Sequence, residues 1–275
     1  MNVWDKLRGK RNIPLPPAAP AQPRKEKKIG LALGGGGLKG TAHIGVLKVL
    51  AEYDIPIHMV AGTSVGSAIA ALYAAGYDWK MMYRLFTEFD IDGLIKVRPS
   101  RMGLVPASGY TDLIRACTKN RRIEEMDIPL KIVAVDLVSR KKIVFDRGDT
   151  ALAVRASSAV PGVFTPVPMG DMLLVDGYVL DNCPGGVVRE MGADVVIAVS
   201  LHTPDTSTPG NMLEIVNRAL DIAAVSYQQI DGDIVLKPIT AYKNFLNKEV
   251  MGECFALGEE CARRQIDDII KLTKG

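Results

Sequence analysis

The chain has 275 residues, 48% of them hydrophobic and 24% charged, with a net charge of +3. That is ample apolar material for a core, which excludes a chain disordered throughout, and α/β folds of this length are often single units. Four scattered cysteines without a C-x-x-C pair and only three histidines exclude a disulfide frame and a His-rich metal motif, so neither a metal nor a cofactor is expected.

The charge is uneven. Residues 1–28 hold eight Lys/Arg against Asp5 and Glu26, a net +6, which leaves the remaining body at −3. Pro14 to Pro23 is Pro/Ala-rich and reads as an extended linker. Ahead of it, Trp4 and Leu7 form a small apolar face among basic residues. Two readings follow: a surface anchor for anionic lipid, or a solvated tail, and the small apolar face favours the tail. Nothing reaches secretory or membrane-spanning length, so a cytoplasmic location is expected, with peripheral contact at the inner membrane face as the tail's other use. No nucleic-acid partner is expected.

The body opens with Lys28–Leu33, an apolar run that reads as a buried strand. The turn Gly34-Gly35-Gly36-Gly37-Leu38-Lys39-Gly40 follows, then Ala42, Val46, Leu47, Val49 and Leu50 at helical spacing, with Pro56 preventing continuation. Met59–Ala61 is a second strand. After it, Gly62-Thr63-Ser64-Val65-Gly66 enters a helix that runs to Ala75 and ends at Gly76. Residues 79–89, with Trp79, Met82, Leu85, Phe86 and Phe89, suggest another helix. Its apolar side is either core or the lining of an acyl-chain channel, and helical spacing favours core.

Periodicity fades over 90–109. Leu130–Leu137 is strand-like and Ile143–Phe145 pairs with it across a turn. A short helix over 150–158, a strand at Met172–Val175 ending on Asp176-Gly177, and the continuous β run Val195–Ser200 come next. An amphipathic segment (212–230), a strand (Ile234–Leu236) and a polar-faced helix (253–272) complete the chain. Short apolar strands alternating with helices predict an α/β fold: a three-layer α/β/α arrangement around a mostly parallel sheet. Ligands in such sheets sit beyond the C-terminal strand ends, where both glycine turns and Asp176 fall.

G-x-S-x-G at a strand-to-helix turn exposes a serine hydroxyl as a nucleophile, and here both the strand and the helix are present. The other reading is a serine that merely caps its helix. The upstream glycine loop supplies backbone N–H groups suited to an oxyanion. That loop also reads as a dinucleotide fingerprint, Gly35-x-Gly37-x-x-Gly40, with Asp54 as ribose acid. Against this, Asp54 sits beside Pro56 in a turn and Lys39 is unexpected there; a P-loop is excluded because Lys39 precedes Gly40. The base stays open on these grounds. His43 reads as packed or capping, and His58 as a surface residue. His202 would complete a Ser64, Asp176, His202 order, while Asp136, Asp146, Asp171, Asp176 and Asp181 are candidates for a carboxylate acting directly.

Taken together, Gly34–Gly40, Gly62–Gly66, Asp176-Gly177, Ser157–Phe164 and Gly192–Val199 resemble the patatin-like phospholipase family, in order and over residues 29–200. Gly34 stands where many members have Asp, and Tyr178 where many have Gly or Ala, so Tyr178 would lie near the base. The resemblance implies a serine acyl hydrolase in lipid degradation or remodelling. Ser64 is its nucleophile, Asp176 its base, and Gly35, Gly36 and Gly37 its oxyanion hole. Lys39, Gly40, Gly62, Gly66 and Gly177 support the motifs, and a lipid ester or acyl group is the substrate. It further implies a tail (1–28), a catalytic domain (29–200), and helices and strand (201–275) completing that domain. The alternatives are a silent adaptor of the same fold and, with less support, a dinucleotide-binding oxidoreductase.

Overall fold

A computed structural model describes residues 27–88, 108–241 and 249–274; Phe89 and the basic tail up to residue 26 lie outside these ranges. The strands are β1 (Ile29–Leu33), β2 (Met59–Thr63), β3 (Leu130–Asp136), β4 (Lys141–Phe145), β5 (Val167–Met169), β6 (Met172–Asp176), β7 (Val195–Val199) and β8 (Ile234–Leu236). The helices are α1 (Thr41–Glu52), α2 (Val65–Ala74), α3 (Trp79–Glu88), α4 (Ser108–Cys117), α5 (Thr150–Ser157), α6 (Gly185–Glu190), α7 (Met212–Tyr227), α8 (Val250–Arg264) and α9 (Ile266–Lys274).

The sheet order is β5-β6-β3-β2-β1-β7-β8, with β4 on β3. β1 pairs in parallel with both β2 and β7, β2 with β3, and β7 with β8. These strands read as unbroken apolar runs because both their faces are covered. Ile29, Leu31 and Leu33 of β1 point into the larger core, with Val60, Ile132 and Ile197. Ala32, Ala61, Val133, Val196 and Ala198 face a smaller core closed by Val187 and Val188 of α6. The three-layer arrangement read from the sequence is the one observed.

One expectation is corrected in its reasoning. Asp176 was placed at the reacting end as though β6 ran with its neighbours, yet β6 is antiparallel to β3. It arrives there from the opposite direction. β2 pairs with the first half of β3, up to Thr63 opposite Val133. β6 takes the second half, with Asp176 opposite Ala134. Two strands therefore meet end to end on β3, one residue step apart, and each delivers its last residue to the same point.

The aromatic residues of α3 settle as core. Met82 is fully buried, Trp79, Leu85 and Phe86 pack against the main core, and Tyr83 stacks on Phe255 of α8 at 4.4 Å between ring centroids. None of these residues lines the cleft described below, and their packing follows the core reading that helical spacing favours. The polar-faced helix expected over 253–272 is two helices, broken at Gln265.

α8 lies across α1 at a contact made by glycines on both sides. A Cβ at Gly45 would strike the Phe255 carbonyl oxygen, and one at Gly258 the Ala42 carbonyl oxygen. Lys48 and Glu259 form an ion pair beside the crossing. Gly258→Val is expected to push the helices apart and to cost about 1–3 kcal/mol. A thermal melt should register it as a fall of roughly 2–4 °C per kcal/mol.

Candidate active site

Ser64 leaves β2 at φ 54°, in the left-handed region, and α2 starts at the next residue. A non-glycine residue held there is strained and needs surrounding structure to keep it. That structure is present. The Ser64 N–H donates to Ser157 Oγ at 2.8 Å, and the Ser157 hydroxyl donates to the Val133 carbonyl of β3 at 2.6 Å. The Ser64 carbonyl accepts from both the N–H and the hydroxyl of Ser67, at 2.9 and 2.6 Å. The turn can be this tight because Gly62 and Gly66 flank it. A Cβ at Gly62 would strike the Gly66 carbonyl oxygen, and one at Gly66 would strike that of Leu33.

Asp176 is 1% exposed and Ser64 8% exposed. Oδ1 of Asp176 accepts the Tyr178 N–H at 2.9 Å, while Oδ2 has no hydrogen-bond partner among the described residues. Burial raises this carboxyl from 3.8 to about 7, with the nearby Ser64 hydroxyl and the Tyr178 N–H acting in the opposite direction. Ser64 thus faces the carboxylate without closing a hydrogen bond to Oδ2. Such contacts commonly tighten only when substrate is bound.

The glycine loop is anchored at its entry. Gly34 N–H donates to Val199 O at 2.9 Å, and Gly34 O accepts from His43 Nε2 at 2.7 Å. His43 therefore carries its proton on Nε2, and burial lowers it to about 4, so it is a neutral clamp on the loop. The Gly35 N–H is shared between Asn182 O and Asn182 Oδ1, both at 3.1 Å. The amides of Gly36 and Gly37 have no partner among the described residues. Gly37 adopts φ 59°, which turns the chain into the short 3-10 segment Gly37–Gly40. Lys39 is buried and donates to Leu201 O at 3.0 Å; its ammonium is lowered by that burial, and Cys254 and Asp221 partly restore it. A Cβ at Gly40 would strike Val65, and one at Gly177 would lie 2.5 Å from Val133 O. These two glycines let the turns approach each other and β3.

Among the other candidate bases, His202 Nε2 lies 3.1 Å from Asp221 Oδ1, a partner on α7, and it has no hydrogen bond to Ser64. His58 is half-buried, and its Nδ1 accepts the Ile29 N–H at 3.0 Å at the start of β1. Asp136 is held well below the usual carboxylate range by the Ser139 hydroxyl first, and by the backbone N–H groups of Ser139, Leu173 and Val138 that it accepts. Asp181 is paired with Lys142 at 2.8 Å. Asp54 adopts φ 50° in the turn after α1, ahead of β2. A ribose acid belongs at the far end of that strand, so the dinucleotide reading loses its second element.

Sequence reasoning missed three supports. Asn182 ties down Gly35, Ser157 holds the strained turn, and Gln228 bridges Asn182 N–H and Tyr178 O at 2.8 Å each. Ser157 lay inside a block noted for its resemblance, whereas Asn182 and Gln228 carry no local pattern. A cleft of about 210 Å3 opens over Ser64, Asp176 and Gly36, with Tyr178, His202 and Asp221 in its walls.

A serine on a strained strand-to-helix turn, a buried carboxylate at its side and two unpaired glycine amides define an α/β protein with the parts of an acyl-transfer site. Residues 31–188 match the sequence profile of the family described as patatin-like phospholipase. The chain belongs to that family. An NTE family protein of Mycobacterium tuberculosis is 35% identical over 192 residues, covering 69% of this chain and 53% of that protein. The lysophospholipase NTE1 of Yarrowia lipolytica is 33% identical over 189 residues, covering 66% of this chain and 13% of its own length. The chain thus spans about half the length of the mycobacterial relative and a small part of the fungal one. Among solved structures, VipD of Legionella pneumophila superposes with a TM-score of 0.59 at 14% identity, covering 89% of this chain and 67% of VipD. The type III effector ExoU gives 0.53 at 17% identity, covering 88% of this chain and 53% of ExoU. At these identities the likeness concerns the fold.

Proposed function

We propose that the chain is a serine acyl hydrolase that cleaves a carboxylic ester of a lipid, with Ser64 and Asp176 as its catalytic pair. One observation carries the reading: a buried carboxylate with an unpartnered oxygen lies against a serine held at φ 54°. Ser64 Oγ attacks the ester carbonyl carbon while Asp176 takes its proton. The carbonyl oxygen becomes an oxyanion between the amides of Gly36 and Gly37, a donor set worth on the order of 3 kcal/mol per hydrogen bond. The leaving alcohol departs with the proton from Asp176. Water then hydrolyses the acyl-enzyme, with Asp176 again as base, and no step calls for a metal or cofactor.

Burial suits Asp176 to this work, because a base near 7 accepts a hydroxyl proton far more readily than one near 3.8. The family and the lysophospholipase named among the relatives support a phospholipid or lysophospholipid as the lipid class. A fluorophosphonate probe tests the nucleophile. It should label the native chain and leave Ser64→Ala unlabelled; equal labelling of both would remove Ser64 from the role.

A further inference from the structure

Helix α7 carries an apolar stripe on the side turned to water as well as apolar residues on the side turned to the protein. Asn217 and Asp221, four residues apart, line the cleft with Arg218 beside them, and Asp221 holds His202. Met212, Ile215, Val216, Ala219 and Ile222 recur at spacings of three and four, which puts them on one stripe. That stripe faces water: Met212 is 80% exposed, Ile222 62% and Ile215 54%. No charged residue interrupts it. Leu180, also exposed, ends the Gly177–Val179 turn that packs against the same helix. A body helix ordinarily buries such a stripe against the core. Here Ala224, Leu213 and Leu220 turn toward the protein beside Asn217 and Asp221, and among the described residues the second apolar side is left uncovered.

We propose that this stripe is the docking face for the surface of a lipid aggregate, a proposal that rests on the lipid-ester reading of the cleft. The stripe and the cleft wall are two sides of one helix, so whatever covers the stripe lies at the mouth of the cleft. A lipid surface there delivers the substrate into it. The helix itself offers such a surface no positive charge: Glu214 and Asp221 outnumber Arg218, and Arg218 is paired with Asp205. Attachment is therefore apolar, takes zwitterionic lipid and persists in salt. A contact made by the basic tail would require anionic lipid and would weaken as salt screens it.

Ser64→Ala protein is mixed with phosphatidylcholine vesicles at high salt, with and without the further changes Ile215→Glu and Ile222→Glu, and bound protein is measured by flotation. The expected result is binding of the parent and a loss of about tenfold or more in the doubly changed protein. In the Ser64 background, the same pair of changes should lower turnover of a vesicle-borne ester while leaving a soluble aryl ester unaffected. Both residues are exposed, so a matching thermal melt is expected and separates lost docking from lost folding. Binding by the parent that requires anionic lipid, or equal binding by both proteins, overturns the proposal. So does a dimer in light scattering that the two changes reduce to a monomer without altering vesicle binding. Because binding is read on Ser64→Ala, it stands apart from the hydrolase reading, which fails separately if the native chain turns over no ester.

Discussion

Asp176→Asn should lower turnover of a soluble aryl ester by about a thousandfold or more, the scale of losing an essential base and its charge. His202→Ala should retain most of the activity, because His202 is bound to Asp221 rather than to Ser64. The opposite pattern would replace the pair with a triad. The pH profile carries a second signature. Asp176 must be ionised to act, so kcat/KM should rise through an apparent value near 7 and level off above it. The same change should stabilise the fold. The carboxyl stands at about 7 folded against an ordinary 3.8, so the folded chain holds more protons between those values and loses stability as pH rises through them. The full shift corresponds to roughly 4 kcal/mol at most. Asparagine abolishes the titration. The variant's melting temperature should therefore exceed that of the native chain by a margin that opens between about pH 4 and pH 7 and is then constant. A margin independent of pH would mean that Asp176 is ionised throughout.

Gly66→Ala is expected to damage stability and catalysis together. The added methyl would strike the Leu33 carbonyl oxygen and lie 2.7 Å from that of Gly34, both of them backbone atoms with no freedom to swing aside. Relief requires α2 to withdraw from β1, at about 1–3 kcal/mol. That movement separates the Ser64 turn from the oxyanion loop. A displacement of about 1 Å between reacting groups can cost a hundredfold in rate. Denaturant unfolding should give the first effect and aryl-ester kinetics the second, with kcat falling more than KM rises. Unchanged kcat would mean that the two turns are not held by this contact.

Much of the site is legible in the sequence because its parts are local. A strand, a glycine-framed turn and a helix follow one another within a dozen residues at Ser64, and the turn chemistry dictates the residues. Asp176 was legible only through the resemblance, since an aspartate at a strand end has no pattern of its own. The orientation of β6 was not legible. A five-residue apolar run reads alike in either direction, and the hairpin with β5 rests on the three-residue strand Val167–Met169. The difference among the loop amides was hidden for a different reason. Three successive glycines look equivalent, and only Asn182, arriving from 147 residues away, occupies the Gly35 amide. The exposed stripe of α7 was hidden too, because the sequence pattern gives the width of an apolar stripe and not which side meets the protein.

The head-to-head meeting of β2 and β6 makes β3 act as a caliper. The gap between nucleophile and base is set by one step along that strand, from Val133 to Ala134, rather than by the chain that joins Ser64 to Asp176. Length changes in the chain joining Ser64 to Asp176 leave that gap untouched as long as β3, Ser157 and Ala159, which hold the two residues, keep their places. A register slip of β6 by one residue, in contrast, turns its terminal carboxylate to the other face of the sheet, away from Ser64.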